Sequence, residues 1–104
     1  MINQEIKSKA KAKSVANQLK DDLLQATEVF GGYVAEVVED GTVYHVEFYS
    51  DNFCNIITDS VFGYVWKVVQ LYMMQYEGVS YWLSTKELNG EVRCAVLVNV
   101  SYKK

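Results

Sequence analysis

The residues that could carry acid–base or metal chemistry are few in this chain. His45 is the single histidine, and the period-two pattern around it places it on one face of a predicted hairpin with Glu36 and Glu47. A histidine among carboxylates can act as a general base or a metal ligand if a nucleophile or a further firm ligand lies beside it. The spacing supplies neither group. We therefore predict a structural ion pair between His45 and Glu36, with no catalytic residue and no metal site.

The cysteines and glycines add no signature of a cofactor. Cys54 and Cys94 are too few and too far apart for a disulfide framework or a zinc site, so we interpret them as reduced thiols of a cytoplasmic protein. No glycine-rich loop precedes a predicted helix, so we expect no phosphate-binding loop. These observations predict a protein that is not an enzyme and holds no cofactor.

Charge is distributed unevenly along the 104 residues, whose formal net charge is −3. Residues 1–20 contain five lysines and one glutamate, whereas residues 21–59 contain nine carboxylates and no lysine or arginine. Such an acidic segment attracts a basic partner protein and repels nucleic acid. The alternative is that these acids only keep the chain in solution. We expect no membrane association, because no apolar run approaches the roughly 18 residues of a membrane span and no signal sequence opens the chain.

Apolar residues at three- and four-residue steps predict a first helix over residues 4–30. This stripe consists of Ala12, Val15, Ala16, Leu19, Leu23, Ala26 and Phe30. Before it, lysines alternate with Ala and Ser, so residues 1–11 are predicted to project from the single domain, residues 1–104, as a lysine-rich helical end. A phosphate-binding role for these lysines is an alternative to plain solvation.

Asp40–Gly41 predicts a first β-hairpin, because Asp-Gly favours a two-residue type I′ turn. Strands 33–39 and 42–49 then pair so that Glu36 faces His45. The inner face of this hairpin is apolar in that register, and the outer face carries its charged residues.

Asn89–Gly90 predicts a second hairpin for the same reason. Strands 79–87 and 91–102 then pair so that Trp82 faces Leu97 on the outer face. Turn chemistry and polarity agree in both hairpins, which supports both assignments.

A second helix is predicted over residues 60–77, with Asp59 as its N-cap and Gly78 as its stop. Its apolar positions cover about 220° of the helical wheel, whereas an ordinary surface helix needs about 100°. A sheet and the first helix leave part of this arc uncovered. Aromatic and methionine side chains at such an edge suit a protein interface, so we predict self-association as a homodimer through three residues: Phe62, Trp66 and Met73.

These elements predict an α+β fold, a two-layer sandwich of one antiparallel sheet with both helices on one face. The sheet has four strands, or five if residues 53–58 form a strand rather than a loop, and the order is α-β-β-(β)-α-β-β. Its outer face then exposes Trp82 and Leu97 among charges, which is typical of a binding surface. The alternative is that half-exposed apolar residues are ordinary on antiparallel sheets.

The sequence therefore predicts a non-enzymatic protein-binding module and no particular activity. The expected partner is a protein with a basic surface, and direct nucleic-acid binding is not expected. The partner surface combines the apolar outer-face residues with five acids in or just after the first hairpin: Glu36, Glu39, Asp40, Glu47, Asp51, Trp82 and Leu97.

Two resemblances bear on this prediction. In size and charge the chain resembles small inhibitor proteins of phages and mobile elements, including anti-CRISPR proteins, which implies that its partner is a basic, nucleic-acid-handling host protein. With a strand at residues 53–58, the element order resembles that of the dimeric type III secretion chaperones, although their closing helix is missing, and this implies a homodimer. A nucleic-acid-binding domain that uses the lysine-rich first helix, or a domain that binds a small ligand between helix and sheet, is the alternative class.

Overall fold

The computed structural model describes residues 4–51 and 57–103, which form two helices and one four-stranded antiparallel sheet. The elements are α1 (Lys9–Thr27), β1 (Tyr33–Asp40), β2 (Val43–Ser50), α2 (Asp59–Gln75), β3 (Val79–Leu88) and β4 (Glu91–Ser101), with one 3-10 turn (Glu28–Phe30) after α1. This two-layer α+β arrangement confirms the predicted fold class. Most of the proposed fifth strand, residues 53–58, lies outside the described residues, and Ile57 and Thr58 are not in a strand.

The strands follow the order β1-β2-β4-β3, so each hairpin forms one half of the sheet and β2 pairs with β4 at its centre. α1 lies over β1, β2 and β4, and α2 lies beside it against β3. The core between the layers includes six fully buried side chains: Leu19, Leu23, Phe48, Val65, Val69 and Val98. Burial of each side chain of this size contributes about 1.5–3 kcal/mol. The core therefore supplies most of the favourable free energy of folding.

The second hairpin has the predicted register. Asn89 and Gly90 have positive φ angles of 52° and 82°, as both central residues of a type I′ turn require. Trp82 accordingly lies opposite Leu97. The turn dipeptide and the polarity pattern were sufficient to predict this pairing.

The first hairpin does not have the predicted register, because Glu36 lies opposite Glu47 and not opposite His45. Its turn residues are Gly41 and Thr42, and of these only Gly41 has a positive φ, 62°. A positive φ at the first central residue alone is the requirement of a type II′ turn, in which glycine stands first. The resulting shift is by two residues, so the predicted faces are correct although the predicted pairs are wrong.

α1 begins at Lys9 and not near residue 4, because the Ser8 hydroxyl accepts an amide hydrogen bond of 3.1 Å from the first turn. The described residues before the helix do not project. Gln4 forms a parallel bridge with Tyr76, and Ile6 is only 2% exposed. The lysine-rich end is thus attached to the core through an apolar side chain that the helical pattern missed.

α2 also differs from its prediction at both ends. Its N-cap is Thr58, whose hydroxyl accepts a hydrogen bond from the Val61 amide, and Asp59 is the first helical residue. At that position the Asp59 carboxylate still faces the positive end of the helix dipole. The helix ends at Gln75 because Tyr76 is extended and pairs with the N-terminal segment.

A polar contact joins the two helices where they pack together. The Tyr72 hydroxyl donates a hydrogen bond of 2.5 Å to the Asp22 carboxylate. Burial, and then this hydrogen bond, raise the pKa of Tyr72 well above its ordinary value. The folded protein therefore holds the phenol in its neutral, donating form.

We expect Gly90→Val to lower the free energy of unfolding by more than about 1 kcal/mol, because a β-branched residue resists positive φ. Gly41→Val should act in the same way, since at both positions the added Cβ meets no neighbouring atom within 4 Å and the strain is in the backbone alone. Gly63→Ala is the matched control, because Gly63 lies in α2 with equally open space and no positive φ. That change should raise stability by up to about 1 kcal/mol. Thermal melting compares the variants, and unchanged melting of both valine variants would contradict the assigned turns.

We expect Tyr72→Phe to lower the free energy of unfolding at pH 7 by about 1 kcal/mol, because a hydrogen bond to a carboxylate is lost. The pKa of Tyr72 is higher in the folded than in the unfolded chain, so its stabilising contribution is present below its ordinary value of 10.0 and declines above that pH. Urea unfolding between about pH 7 and 11 should thus show a steeper alkaline loss for the wild type than for Tyr72→Phe. The control is Tyr64→Phe, at an exposed position of the same helix. Parallel pH profiles of wild type and Tyr72→Phe would rule this role out.

Candidate protein-binding surface

The face of the sheet that points away from the helices, called here the outer face, carries one row of four predicted partner-binding residues. From β1 to β3 the row runs Glu36, Glu47, Leu97, Trp82. Trp82 is 47% exposed, Leu97 is half-buried and Glu36 is exposed. The fold therefore places two carboxylates and two large apolar side chains in line across all four strands.

Lys86 lies between the two carboxylates of this row. Its Nζ is 3.0 Å from a carboxylate oxygen of Glu47 and 3.9 Å from one of Glu36. The hydrogen bond to Glu47 is the main cause that raises the pKa of Lys86, and the negative charge of Glu36 adds to it. Like charges directly opposite each other on neighbouring strands repel. Lys86 therefore makes the observed pairing of Glu36 with Glu47 tolerable.

His45 has different neighbours from those predicted. Its Nδ1 contacts the side-chain oxygen of the buried Asn99, and its Nε2 lies 3.4 Å from the Asp40 carboxylate. The ion pair predicted between His45 and Glu36 is wrong, because it depended on the wrong register of the first hairpin. Held by partners at both ring nitrogens, His45 ties β2 to β4 on the outer face.

The predicted acids do not all share one surface. Glu39 lies on the helix side of the sheet, 2.7 Å from the Lys9 ammonium, and accepts a hydrogen bond of 2.9 Å from the Tyr44 hydroxyl. These two hydrogen bonds, with that from Lys9 the larger, lower the pKa of Glu39. Asp51 follows the end of β2, where it is exposed and its amide bonds to Gly32. Three of the acids remain together on the outer face: Glu36, Asp40 and Glu47.

Three lysines of α1 have partners within the protein, and two of them, Lys9 and Lys11, belong to the lysine-rich end predicted to be solvated or to bind phosphate. Lys9 pairs with Glu39, the Lys11 Nζ lies 5.7 Å from the centre of the Tyr76 ring, and the Lys20 Nζ lies 3.7 Å from Asp21. Lys9 and Lys20, together with Lys86, bring positive charge to the acidic segment from outside it. The count of charges along the chain therefore overstated how negative this region is in the fold.

The residues predicted to mediate self-association lie along the β3 side of α2. Phe62 and Met73 pack against the core, and the Trp66 ring meets the Tyr81 ring of β3 edge-on at 4.7 Å between centroids. Self-association through these residues stays a prediction. The most exposed apolar side chains of α2 lie elsewhere on the helix: Tyr64, Leu71 and Met74.

One apolar surface was missed by the sequence reasoning. The second hairpin extends beyond the helices, and Leu83 on its inner side is 67% exposed beside an open groove of about 450 Å³ that Ile57 and Phe62 also line. Strand length could have indicated this surface, because β3 and β4 have 10 and 11 residues whereas β1 and β2 have 8 each. Longer strands carry the hairpin past the end of the helical layer.

Within residues 4–51 and 57–103, no group of three or more His, Cys, Asp and Glu side chains is placed to hold a metal ion. No helix in this described part has the length and apolar character needed to cross a membrane. The chain matches no protein-family model, no curated protein and no solved structure. Function must therefore be inferred from the surface itself.

We expect Lys86→Met to lower the free energy of unfolding by about 1 kcal/mol, because Glu36 and Glu47 would then face each other with no cation between them. Methionine keeps most of the length and apolar character of the side chain, so the charge is the main change. Adding Glu47→Gln should recover most of the loss, since one of the two opposed charges is removed. Urea unfolding gives the comparison, with Lys13→Met at an exposed position of α1 as the control. Equal stability of Lys86→Met and the wild type would show that Lys86 does not relieve this repulsion.

Proposed function

We propose that this chain acts without catalysis, as a protein-binding module whose outer face receives a partner protein with a basic surface. The observation that supports this most directly is the exposed Trp82 beside Leu97, in one row with Glu36 and Glu47. Buried aromatic side chains contribute most of the binding energy of many protein interfaces. An indole left half open to water on a sheet face suits that role.

The apolar residues of the outer face surround its paired acids. Val34 and Val38 stand on either side of Glu36 along β1, and Leu97 and Trp82 continue the row on the other half of the sheet. Removing such apolar surface from water contributes about 25 cal/mol per Å². A partner that binds across this face would bury the apolar side chains and the carboxylates together. It would contact the carboxylates at the β1 side.

The acids of the outer face favour a basic partner, and their exposure decides which of them can meet it. Asp40 and Glu36 have side chains that are 76% and 48% exposed, whereas Glu47 is more covered and bonds to Lys86. Charges at the rim of an interface speed association more than they tighten the final complex. Asp40 and Glu36, with the exposed Asp51 beyond the end of β2, are thus the proposed steering residues.

The finer proposal is that the partner is a basic, nucleic-acid-handling host protein, which this chain inhibits by occupying its basic surface. That proposal rests on the acidic character of residues 21–59 and on the resemblance in size and charge to phage inhibitors. Direct nucleic-acid binding through α1 has less support, since Lys9 and Lys11 have partners within the protein.

Affinity capture from a lysate of the native host, compared between matched variants, tests the proposal. Trp82→Ser combined with Val38→Ser removes exposed apolar side chains from the outer face, and Leu71→Ser combined with Met74→Ser removes comparably exposed ones from α2. A partner that uses the outer face should be captured by the wild type and the α2 control and lost with the outer-face variant. Equal capture by all three would contradict the proposal.

The captured protein, once purified, allows the role of the outer-face charges to be tested by measuring association rates. Replacing Asp40 and Asp51 by lysine and Glu36 by glutamine should slow association by at least about tenfold and reduce its dependence on salt, with little change in the melting temperature. Glu47 is left unchanged because a lysine there would face Lys86. Unchanged association kinetics would show that the acids do not steer the partner.

A further inference from the structure

β3 is an edge strand whose outward backbone groups can be identified. It pairs with β4 on one side, and no described strand pairs with its other side. The residues that flank a two-residue turn form a hydrogen-bonded pair, and bonded and non-bonded pairs then alternate along the hairpin. The hydrogen bond of 3.0 Å from the Ser101 amide to the Gly78 carbonyl agrees with this alternation. The groups that point to the free edge therefore belong to the odd-numbered residues Val79, Tyr81, Leu83 and Thr85.

This free edge carries no charge over most of its length. Residues 79–85 read VSYWLST, and the charged residues Lys86 and Glu87 come only toward the turn. Proteins use charged residues, prolines and bulges to keep exposed edge strands from pairing with other strands. The opposite edge, β1, has this protection in Glu36, Glu39 and Asp40, whereas the central part of β3 has none.

Both faces carry an exposed apolar side chain next to this edge. Trp82 is exposed on the outer face and Leu83 on the inner face, and Phe62 and Trp66 of α2 lie alongside on the inner side. A strand added to β3 would therefore satisfy the free backbone groups and also cover exposed apolar side chains on both faces. The added strand needs to be uncharged and to carry apolar side chains of its own, as residues 79–85 do.

We propose that β3 pairs with β3 of a second copy of the chain, antiparallel about a two-fold axis at Trp82. Trp82 is the central residue of the uncharged stretch, so this register places residues 79–85 of one copy on the same residues of the other. Tyr81 then lies opposite the partner's Leu83 and Val79 opposite the partner's Thr85, as hydrogen-bonded pairs. Trp82 faces the partner's Trp82 as a non-hydrogen-bonded pair, in which Cα atoms are about 4.5 Å apart and side chains meet closely. The two sheets become one sheet of eight strands.

Charge favours this edge over β1 for self-pairing. The strand order places the acidic hairpin β1–β2 at the far end of the sheet from β3. Two copies joined through β3 therefore hold their acidic hairpins at opposite ends, whereas pairing through β1 would bring Glu36, Glu39 and Asp40 of both copies together. Phe62 and Trp66, which the sequence predicted as self-association residues, lie next to the paired β3 strands.

The inference goes beyond the proposed function and does not depend on it, because it concerns the purified chain alone. Light scattering over a roughly hundredfold dilution should give a dimer mass that falls toward the monomer mass on dilution. Leu83→Pro removes an amide that points to the free edge and that β4 does not use, so the monomer should still fold. We expect it to weaken dimer formation by at least about tenfold. Leu83→Lys is a second variant with the same expectation, should the proline variant melt early.

The control is Leu71→Lys, because Leu71 on α2 is 65% exposed, close to the 67% of Leu83. Its dimer formation should equal that of the wild type. A monomer mass for the wild type at every concentration would overturn the inference. So would a dimer that neither change at Leu83 weakens.

The register has its own test in a background with Cys54→Ser and Cys94→Ser. Under mild oxidation by an added copper complex, two Trp82→Cys chains should form an intermolecular disulfide. Ser84→Cys, on the same face, should not, because this register places it opposite the partner's Ser80. Cross-linking of Ser84→Cys without that of Trp82→Cys would overturn the two-fold axis at Trp82.

Discussion

The packing of α1 onto the centre of the sheet is the contact on which the rest of the structure depends. Ala12, Ala16 and Leu19 are completely buried there, and the two alanines let the helix approach the strands closely. α2 joins the same layer through Val65 and Val69, so both helices cover one face. Neither described helix covers the outer face, and of the described helices only the start of α2, at Phe62, lies beside Leu83 on the inner side of the second hairpin. The exposure of Trp82 and of Leu83 follows from these two consequences.

Local chemistry explains which parts of the fold could be predicted from the sequence. The second hairpin was predicted in register because Asn89 and Gly90 both accept positive φ. The first hairpin was displaced by two residues because Asp40 stays in the strand and Gly41 alone takes the positive φ. The faces were nevertheless correct, since side chains alternate with a period of two and a shift by two conserves that alternation. The start of α1 was missed by five residues and that of α2 by one, because the hydroxyl groups of Ser8 and Thr58 cap these helices.

The pairing of residues on the candidate surface was predictable only within the second hairpin. Trp82 beside Leu97 follows from one local turn, whereas the meeting of Lys86 with Glu47 depends on the pairing of β2 with β4. No local signal in the sequence specifies that long-range pairing. The contact of His45 with Asn99 crosses the same strand boundary and was missed for the same reason. Charge was therefore misjudged, because a count along the chain cannot show that Lys9 and Lys86 fold back onto the acidic segment.

The two halves of the sheet differ in how their exposed edge strands are protected from pairing with other strands. The β1–β2 half carries carboxylates on its edge and its outer face, and like charges there oppose pairing with another sheet while leaving the face open to a basic surface. The β3–β4 half keeps its charges toward the turn and leaves an uncharged stretch open at its edge. Such an edge is an aggregation hazard unless something regular covers it. The proposed pairing about a two-fold axis would cover it once and close the assembly, because the edge at β3 is of this kind and the edge at β1 is protected by charge. In these proposals, the uneven charge distribution sets the limit of the assembly as well as the nature of its partner.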